Sequence, residues 1–406
     1  MAINEPGSPT YYRKGFGLGA EVAETLATDY SGRIVTYMRS QDYRLTLGDV
    51  TVELAREFGF CYGVERAVDY AYQTRRKFPD RRIVLAGEII HNPHVNERLA
   101  EMGIEILRPS ATGFDFSGVA ERDVVIVPAF GVTLQDFRTL RERGVVVVDT
   151  TCGSVLNVWK RVDTYARDGF TSLIHGKHYH EETRATASQV TKYPGGAYLV
   201  VRDMGEAALV CDYIEGRGDR ARFMERLGAA AASPDFDPDR HLERIGVANQ
   251  TTMLARESLA IGEVVGQSME RSRGPEYKAA NFRTFDTICS ATQDRQDAVE
   301  ALLVDPPDLM VVIGGYNSSN TISLAALCAV KVPTYHVEDA DCIEVESAAV
   351  RYRPIGGGPE QSKSPLLPPG PVRVGVTAGA STPNNKIGEA IARIFATRGI
   401  ALSALD

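Results

Sequence analysis

From about residue 49 onward, short β-branched runs alternate with longer stretches of helical periodicity. Residues 83–85, 124–127, 145–148, 172–174, 310–313 and 372–376 are apolar at nearly every position. Runs with no polar alternation, separated by helices, predict strands of parallel sheets buried on both faces, and hence an α/β protein. Residues 1–48 read as an N-terminal extension, a loop before a short helix at 20–28. Gly15, Gly17 and Gly19 superficially match a dinucleotide fingerprint, but no strand precedes them to set up the phosphate-binding turn. Residues 216–243, rich in Arg, Ala, Asp and Pro, read as an exposed helical insertion. Residues 354–371, dominated by Gly, Pro and Ser, read as a surface loop.

One unit recurs three times along the chain. An extended run leads to a cysteine and then to a helical segment at Cys61, Cys152 and Cys289. Two polar loops follow each cysteine. They are Glu88-Ile89-Ile90-His91-Asn92 and Pro128-Ala129-Phe130-Gly131 after the first. His175 to Glu182 and Asn249-Gln250-Thr251-Thr252 follow the second. Gly314 to Asn320 and Thr377 to Thr382 follow the third. Such a repeat predicts three related α/β domains whose strand C-terminal ends converge on one centre, where ligands of these sheets bind. The expected organisation is an extension at 1–48, a strand segment at 49–61 packing with the third domain, and domains at 62–151, 152–288 and 289–406.

Composition narrows the chemistry. The chain has 406 residues, 44% hydrophobic and 24% charged, with a formal net charge of -8 and a pI near 5.5. Those values describe a soluble globular protein with no basic stripe for nucleic acid. No apolar run reaches the roughly 20 residues of a membrane helix, and the N-terminus lacks a signal-peptide core; a cytoplasmic location is expected. Six cysteines occur and none forms a CxxC pair, which disfavours a zinc finger or a thioredoxin-like site. Cys211, Cys328 and Cys342 lack the strand–cysteine–helix context and read as buried structural residues.

A cysteine at a helix N-terminus sits at the positive end of the helix dipole, which favours the thiolate a metal needs. Three such thiolates suit zinc or an iron–sulfur cluster, and leave one metal position open for substrate. Ser318, Ser319, Asn320 and Ser381 are short neutral donors in loops that open helices, a setting suited to phosphate. His91 and His180 add further donors. Glu182 is the candidate proton donor, because burial near anionic groups raises a carboxyl pKa.

These residues lie in motifs that resemble the 4-hydroxy-3-methylbut-2-enyl diphosphate reductases, over residues 50 to 395. The motifs are Gly59-Phe60-Cys61-Tyr62-Gly63-Val64-Glu65-Arg66-Ala67, Glu88 to Asn92, Asp149-Thr150-Thr151-Cys152, His180-Glu181-Glu182-Thr183, Asn249 to Thr252, Asn317 to Asn320 and Val376 to Ser381. The extension and His175-Gly176-Lys177 resemble the plant and cyanobacterial branch. The resemblance implies a pseudo-three-fold trefoil around a 4Fe–4S cluster held by Cys61, Cys152 and Cys289, with one open iron. It implies reductive loss of a hydroxyl from an allylic diphosphate, with electrons from a ferredoxin or flavodoxin, in the methylerythritol phosphate pathway. Glu182 would supply protons with Thr251 in its relay. His91, His180, Ser318, Ser319, Asn320 and Ser381 would hold the diphosphate. Two positions depart from the family pattern: Phe130 where many members carry His, and Gly153 where proline usually follows the cysteine. The alternatives are an iron–sulfur hydro-lyase, which needs no external electrons, and a non-catalytic iron–sulfur sensor.

Overall fold

A computed structural model describes residues 10–110, 113–228, 230–285 and 287–402. The chain divides into two compact units. The first takes in the stretch up to Arg13, Arg81–Gly87 and Leu107–Cys289; the second takes in Lys14–Asp80, Glu88–Ile106 and Ser290 onward. Strands are numbered along the chain, and the division falls within β5 (Ile104–Leu107).

The first unit carries two parallel sheets. One is built on β4 (Ile83–Ala86), β6 (Val124–Val127) and β7 (Val146–Asp149), with β1 (Tyr11–Tyr12) added parallel beside β7. The other runs β11-β10-β8-β9, from Phe282–Thr284, Ile245–Asn249, Thr171–His175 and Tyr198–Val201 respectively. All residues of β4 and β6 are buried, so the absence of alternation in sequence reports helices on both faces. Each fully buried aliphatic side chain contributes roughly 1.5–3 kcal/mol.

The second unit carries the third large sheet, in the order β13-β12-β17-β3-β2. Its strands are Thr334–Val337, Leu309–Ile313, Val372–Ala378, Val50–Leu54 and Arg44–Leu47. β3 joins β17 in parallel, with Val50 opposite Val372, and β2 returns antiparallel on β3. A small antiparallel sheet follows from β14 (Ile343–Glu344), β15 (Ala349–Tyr352) and β16 (Gln361–Lys363).

The three large sheets share one scheme. Three parallel strands are ordered β4-β6-β7, β8-β10-β11 and β12-β17-β3. The last of each leads to a cysteine. In the third sheet that last strand comes from early in the sequence, so the repeat is closed by residues that precede it.

Four readings of the sequence change. The helix expected at 20–28 runs Gly19–Tyr30, and a second helix, Arg33–Ser40, plus β2 follow it. Ile34, Val35 and Met38 of that second helix join the core of the third sheet, so much of 1–48 is folded structure. The insertion at 216–243 buries Phe223, Leu227, Phe236 and Leu242 against the second sheet; its charged residues hide a short apolar stripe. The 354–371 stretch contributes β16. The strand before Cys61 ends at Leu54, and the strand before Cys289 ends at Thr284, short of the extended runs, ending at 58–60 and spanning 285–288, that lead to those cysteines. Asp286 in the second of those runs lies outside the described residues.

Candidate active site

None of the three cysteines is in a disulfide, and each is half-buried. Cys61 is the N-cap of helix Tyr62–Lys77 and Cys152 the N-cap of helix Gly153–Arg167. Cys289 immediately precedes helix Ser290–Leu302. The same backbone contact recurs at all three. The N–H of Cys152 donates to Ala129 carbonyl at 2.9 Å, that of Cys289 to Thr251 carbonyl at 3.4 Å, and that of Cys61 to Ala380 carbonyl at 3.2 Å. In every case the acceptor lies two residues beyond the adjacent strand, β6, β10 or β17. The repeat inferred from sequence is therefore a repeat of local geometry. It leaves each cysteine at the start of a helix. At Gly153 a Cβ would meet nothing within 4 Å, so the open position accepts glycine in place of proline without a packing defect.

In the first unit the polar loops are bonded in series. Thr251, whose carbonyl receives Cys289, turns its own N–H to Glu182 Oε1 at 2.6 Å. Glu182 is buried in the first turn of helix Glu181–Ser188, where its N–H donates to Nδ1 of the N-cap His180 at 3.1 Å. That bond makes Nδ1 the acceptor nitrogen of His180 and leaves the proton on Nε2 in the neutral ring. Phe130, at the family-variable position, meets the His180 ring edge-on with centroids 5.5 Å apart. Its phenyl ring supports the imidazole by packing and carries no hydrogen-bonding atom. Gln250 Oε1 accepts from the Lys177 N–H and the Thr183 hydroxyl, both at 3.1 Å, which ties the two loops together.

In the second unit His91, Ser318, Ser319, Asn320 and Ser381 are all buried. The N–H of Ala380, the residue that receives Cys61, donates to Asn320 Oδ1 at 2.9 Å. The Ser381 hydroxyl donates to the His91 carbonyl at 3.1 Å. Ser318 caps helix Ser319–Ala329 by accepting from the Thr321 N–H. Asn320 Nδ2 is buried and has no hydrogen-bond partner. A buried donor without an acceptor costs about 1–3 kcal/mol, a cost that an oxygen acceptor would relieve. At Gly314, Gly315 and Gly379, in the loops beside this helix, a Cβ would strike Thr321 Oγ1 or the His91 carbonyl at 2.0–2.7 Å, or Thr382 Oγ1 at 2.6 Å.

Some participants had no role assigned from sequence. Glu88 Oε2 lies 2.8 Å from His91 Nδ1 and accepts from Asn317 Nδ2 at 3.2 Å. The Glu88–His91 spacing of three was its visible signal. Arg295 is buried on helix Ser290–Leu302, and its Nη2 donates to the Gly59 carbonyl at 2.7 Å, two residues before Cys61. Nothing in its helical setting marked it in advance.

Fold and local geometry together define an α/β protein with polar loops at the carboxyl ends of its parallel strands and a cysteine at the start of three of its helices. The chain belongs to the LytB protein family, whose model matches residues 52–395. It is 48% identical over 396 residues to the 4-hydroxy-3-methylbut-2-enyl diphosphate reductase of Thermosynechococcus vestitus, covering 97% of this chain and 96% of that relative. It is 47% identical to the reductase of the same name from Gloeobacter violaceus, covering 98% and 94%. A solved structure of (E)-4-hydroxy-3-methyl-but-2-enyl diphosphate reductase, the terminal enzyme of the non-mevalonate pathway, superposes with a TM-score of 0.51 and 28% identity. It spans 84% of this chain and 98% of its own. The reductase structure from Plasmodium falciparum gives a TM-score of 0.60 at 20% identity, over 84% and 86%, and shows the shared fold.

Proposed function

We propose that this chain removes the hydroxyl of (E)-4-hydroxy-3-methylbut-2-enyl diphosphate reductively, giving isopentenyl and dimethylallyl diphosphate. The chain is an oxidoreductase of the family just described, and the step is the last of the methylerythritol phosphate route to isoprenoids. Cys61, Cys152 and Cys289 fit a 4Fe–4S cluster in donor type, in freedom from disulfides and in helix-terminal placement. Such a cluster supplies one-electron reduction and an iron position that no protein thiolate fills.

The remaining work falls to the chain itself. The net change consumes two electrons and two protons: one proton leaves with the hydroxyl as water, the other ends on the allylic carbon. Glu182 holds and delivers protons, fixed by the Thr251 N–H at Oε1, with Thr251 in its relay. His91, His180, Ser318, Ser319, Asn320 and Ser381 bind the diphosphate. The Asn320 amide and the N-terminus of helix Ser319–Ala329 direct donors at it. A ferredoxin or flavodoxin supplies the electrons, in the cytoplasm. Among the described residues no helix is long and apolar enough to cross a membrane. We read the three large sheets as three related α/β domains, at 62–151, 152–288 and 289–406, with 49–61 completing the third, around a common cluster.

The observation that carries this reading is the threefold recurrence of one cysteine–carbonyl contact beside polar loops, in a chain of the LytB family. Anaerobic reconstitution with iron counting, followed by turnover with and without a reductant, tests it. Close to four irons and strictly reductant-dependent turnover are expected. Dehydration without added electrons indicates a hydro-lyase, and a stable cluster with no turnover indicates a sensor; either result overturns the proposal.

A further inference from the structure

The N-terminal stretch carries none of the residues assigned to the reaction above, yet residues 10–12 bond to the strand that leads into one of the cysteine turns. β1 lies parallel to β7, with Tyr11 opposite Val147 and Tyr12 opposite Val148. The Val147 N–H donates to the Thr10 carbonyl at 2.7 Å. The Tyr11 ring packs edge-on against Phe137, with centroids 5.8 Å apart. Its hydroxyl donates to Asp149 Oδ2 at 2.5 Å.

Asp149 is buried and is the last residue of β7. Its other oxygen, Oδ1, accepts from the Thr151 N–H at 2.9 Å and from the Thr151 hydroxyl at 2.5 Å. Thr151 is only 1% exposed and immediately precedes Cys152. Both carboxylate oxygens are thus engaged, one by the extension and one by the turn that presents the cysteine. Burial, and then the Asp149 carboxylate, push the Tyr11 phenol far above its ordinary range, so it remains a donor at any working pH. Hydrogen bonds to an ionised acceptor are the strong, short class. Losing the phenol frees the carboxylate to rotate and slackens its hold on Thr151.

We propose that Tyr11 is a positioning residue for Cys152, acting through Asp149 and Thr151, so that the N-terminal strand clamps one ligand of the cluster. The clamp rests on the cluster reading given above for its purpose, but its geometry stands apart from it.

The test uses the full chain and three variants, Tyr11→Phe, Thr151→Val and Thr151→Ser. In iron-free protein, alkylation by iodoacetamide is followed at each cysteine by peptide mass spectrometry. Tyr11→Phe and Thr151→Val are expected to change the Cys152 rate by about threefold or more, with Cys61 and Cys289 unchanged. Thr151→Ser, which keeps the hydroxyl, restores the native rate. In the anaerobically reconstituted holoenzyme, the cluster absorbance of Tyr11→Phe is expected to bleach in air about threefold faster. Unaltered Cys152 labelling in Tyr11→Phe overturns the clamp. So does equal acceleration at all three cysteines, which assigns Tyr11 to general stability. A wild-type chain that takes up no iron removes the cluster reading, and the labelling still decides the clamp.

Discussion

The contact between Thr251 and Glu182 is made by the threonine backbone N–H, 2.6 Å from Glu182 Oε1. The glutamate is therefore anchored by main chain, and the threonine side chain is not needed to hold it. A glutamine at 182 keeps an Oε1 acceptor for that bond but has no acidic proton to give. Glu182→Gln should retain cluster colour and substrate binding while losing about 10²–10⁴ of turnover, the usual worth of a general acid. Thr251→Ala keeps the anchoring bond and should lose less. Parallel measurement of kcat and of substrate-induced spectral change checks both, and full activity in Glu182→Gln would remove that residue from the mechanism.

The six cysteines should separate into two classes. Cys152→Ser is expected to abolish both cluster iron and turnover. Cys328 is fully buried in an apolar cluster with Val299, Met310 and Leu324, and burial pushes its thiol up to about 12. Cys328→Ala should leave iron content unchanged and cost roughly 1 kcal/mol from the lost sulfur packing. Iron assay and urea unfolding, run on the same preparations, distinguish the classes.

The same substitution at two glycines should have opposite effects. A Cβ at Gly379 would lie 2.0 Å from Thr321 Oγ1, in the loop that carries Ser381. Gly379→Ala is expected to destabilise by about 1–3 kcal/mol through overpacking and to raise KM for the diphosphate. At Gly388, on helix Asn384–Ala396, the nearest atom to a Cβ is Ile34 Cβ at an ordinary 3.4 Å. Gly388→Ala should stabilise by about 0.5–1 kcal/mol through reduced backbone freedom in the unfolded chain. Thermal unfolding with steady-state kinetics reads both.

Stability should fall in mild acid. His175, bonded through Nδ1 to Ser258 Oγ at 2.7 Å, and His336, whose Nε2 donates to the Gly314 carbonyl at 2.9 Å, are buried. Burial lowers each to about 4. The unfolded chain takes up a proton on each near pH 6.5, the folded chain only near 4, so the unfolded state holds more protons between those values. Stability is then complete above about pH 6.5 and is lost as pH falls towards 4, by at most about 3 kcal/mol per group. Urea unfolding from pH 7.5 to 5 should show this slope, and His336→Gln should flatten it; a flat wild-type profile contradicts the assignment.

Strands such as β6 and β12 were legible because burial on both faces leaves no polar position, and the cysteines because one unit recurs three times. Ser318 and Asn320 were legible as short donors in a loop opening a helix. The contacts of Glu88 and Arg295 were not, because their partners, Asn317 and the Gly59 carbonyl, lie more than two hundred residues away in sequence. Tyr11 was hidden for a similar reason: two aromatic residues in a polar stretch carry no strand signal until β7 offers them an edge.

The pairing of β3 with β17 has a consequence for biogenesis. Glu53 and Arg373, an ion pair across these strands, stand 320 residues apart in the chain. A nascent polypeptide emerging from the ribosome holds Cys61 long before it has the carbonyl of Ala380 that seats it. The backbone seat of that cysteine is therefore complete only when nearly the whole chain has been synthesised. Any release of the polypeptide short of β17 leaves β3 as a bare edge, open to aggregation.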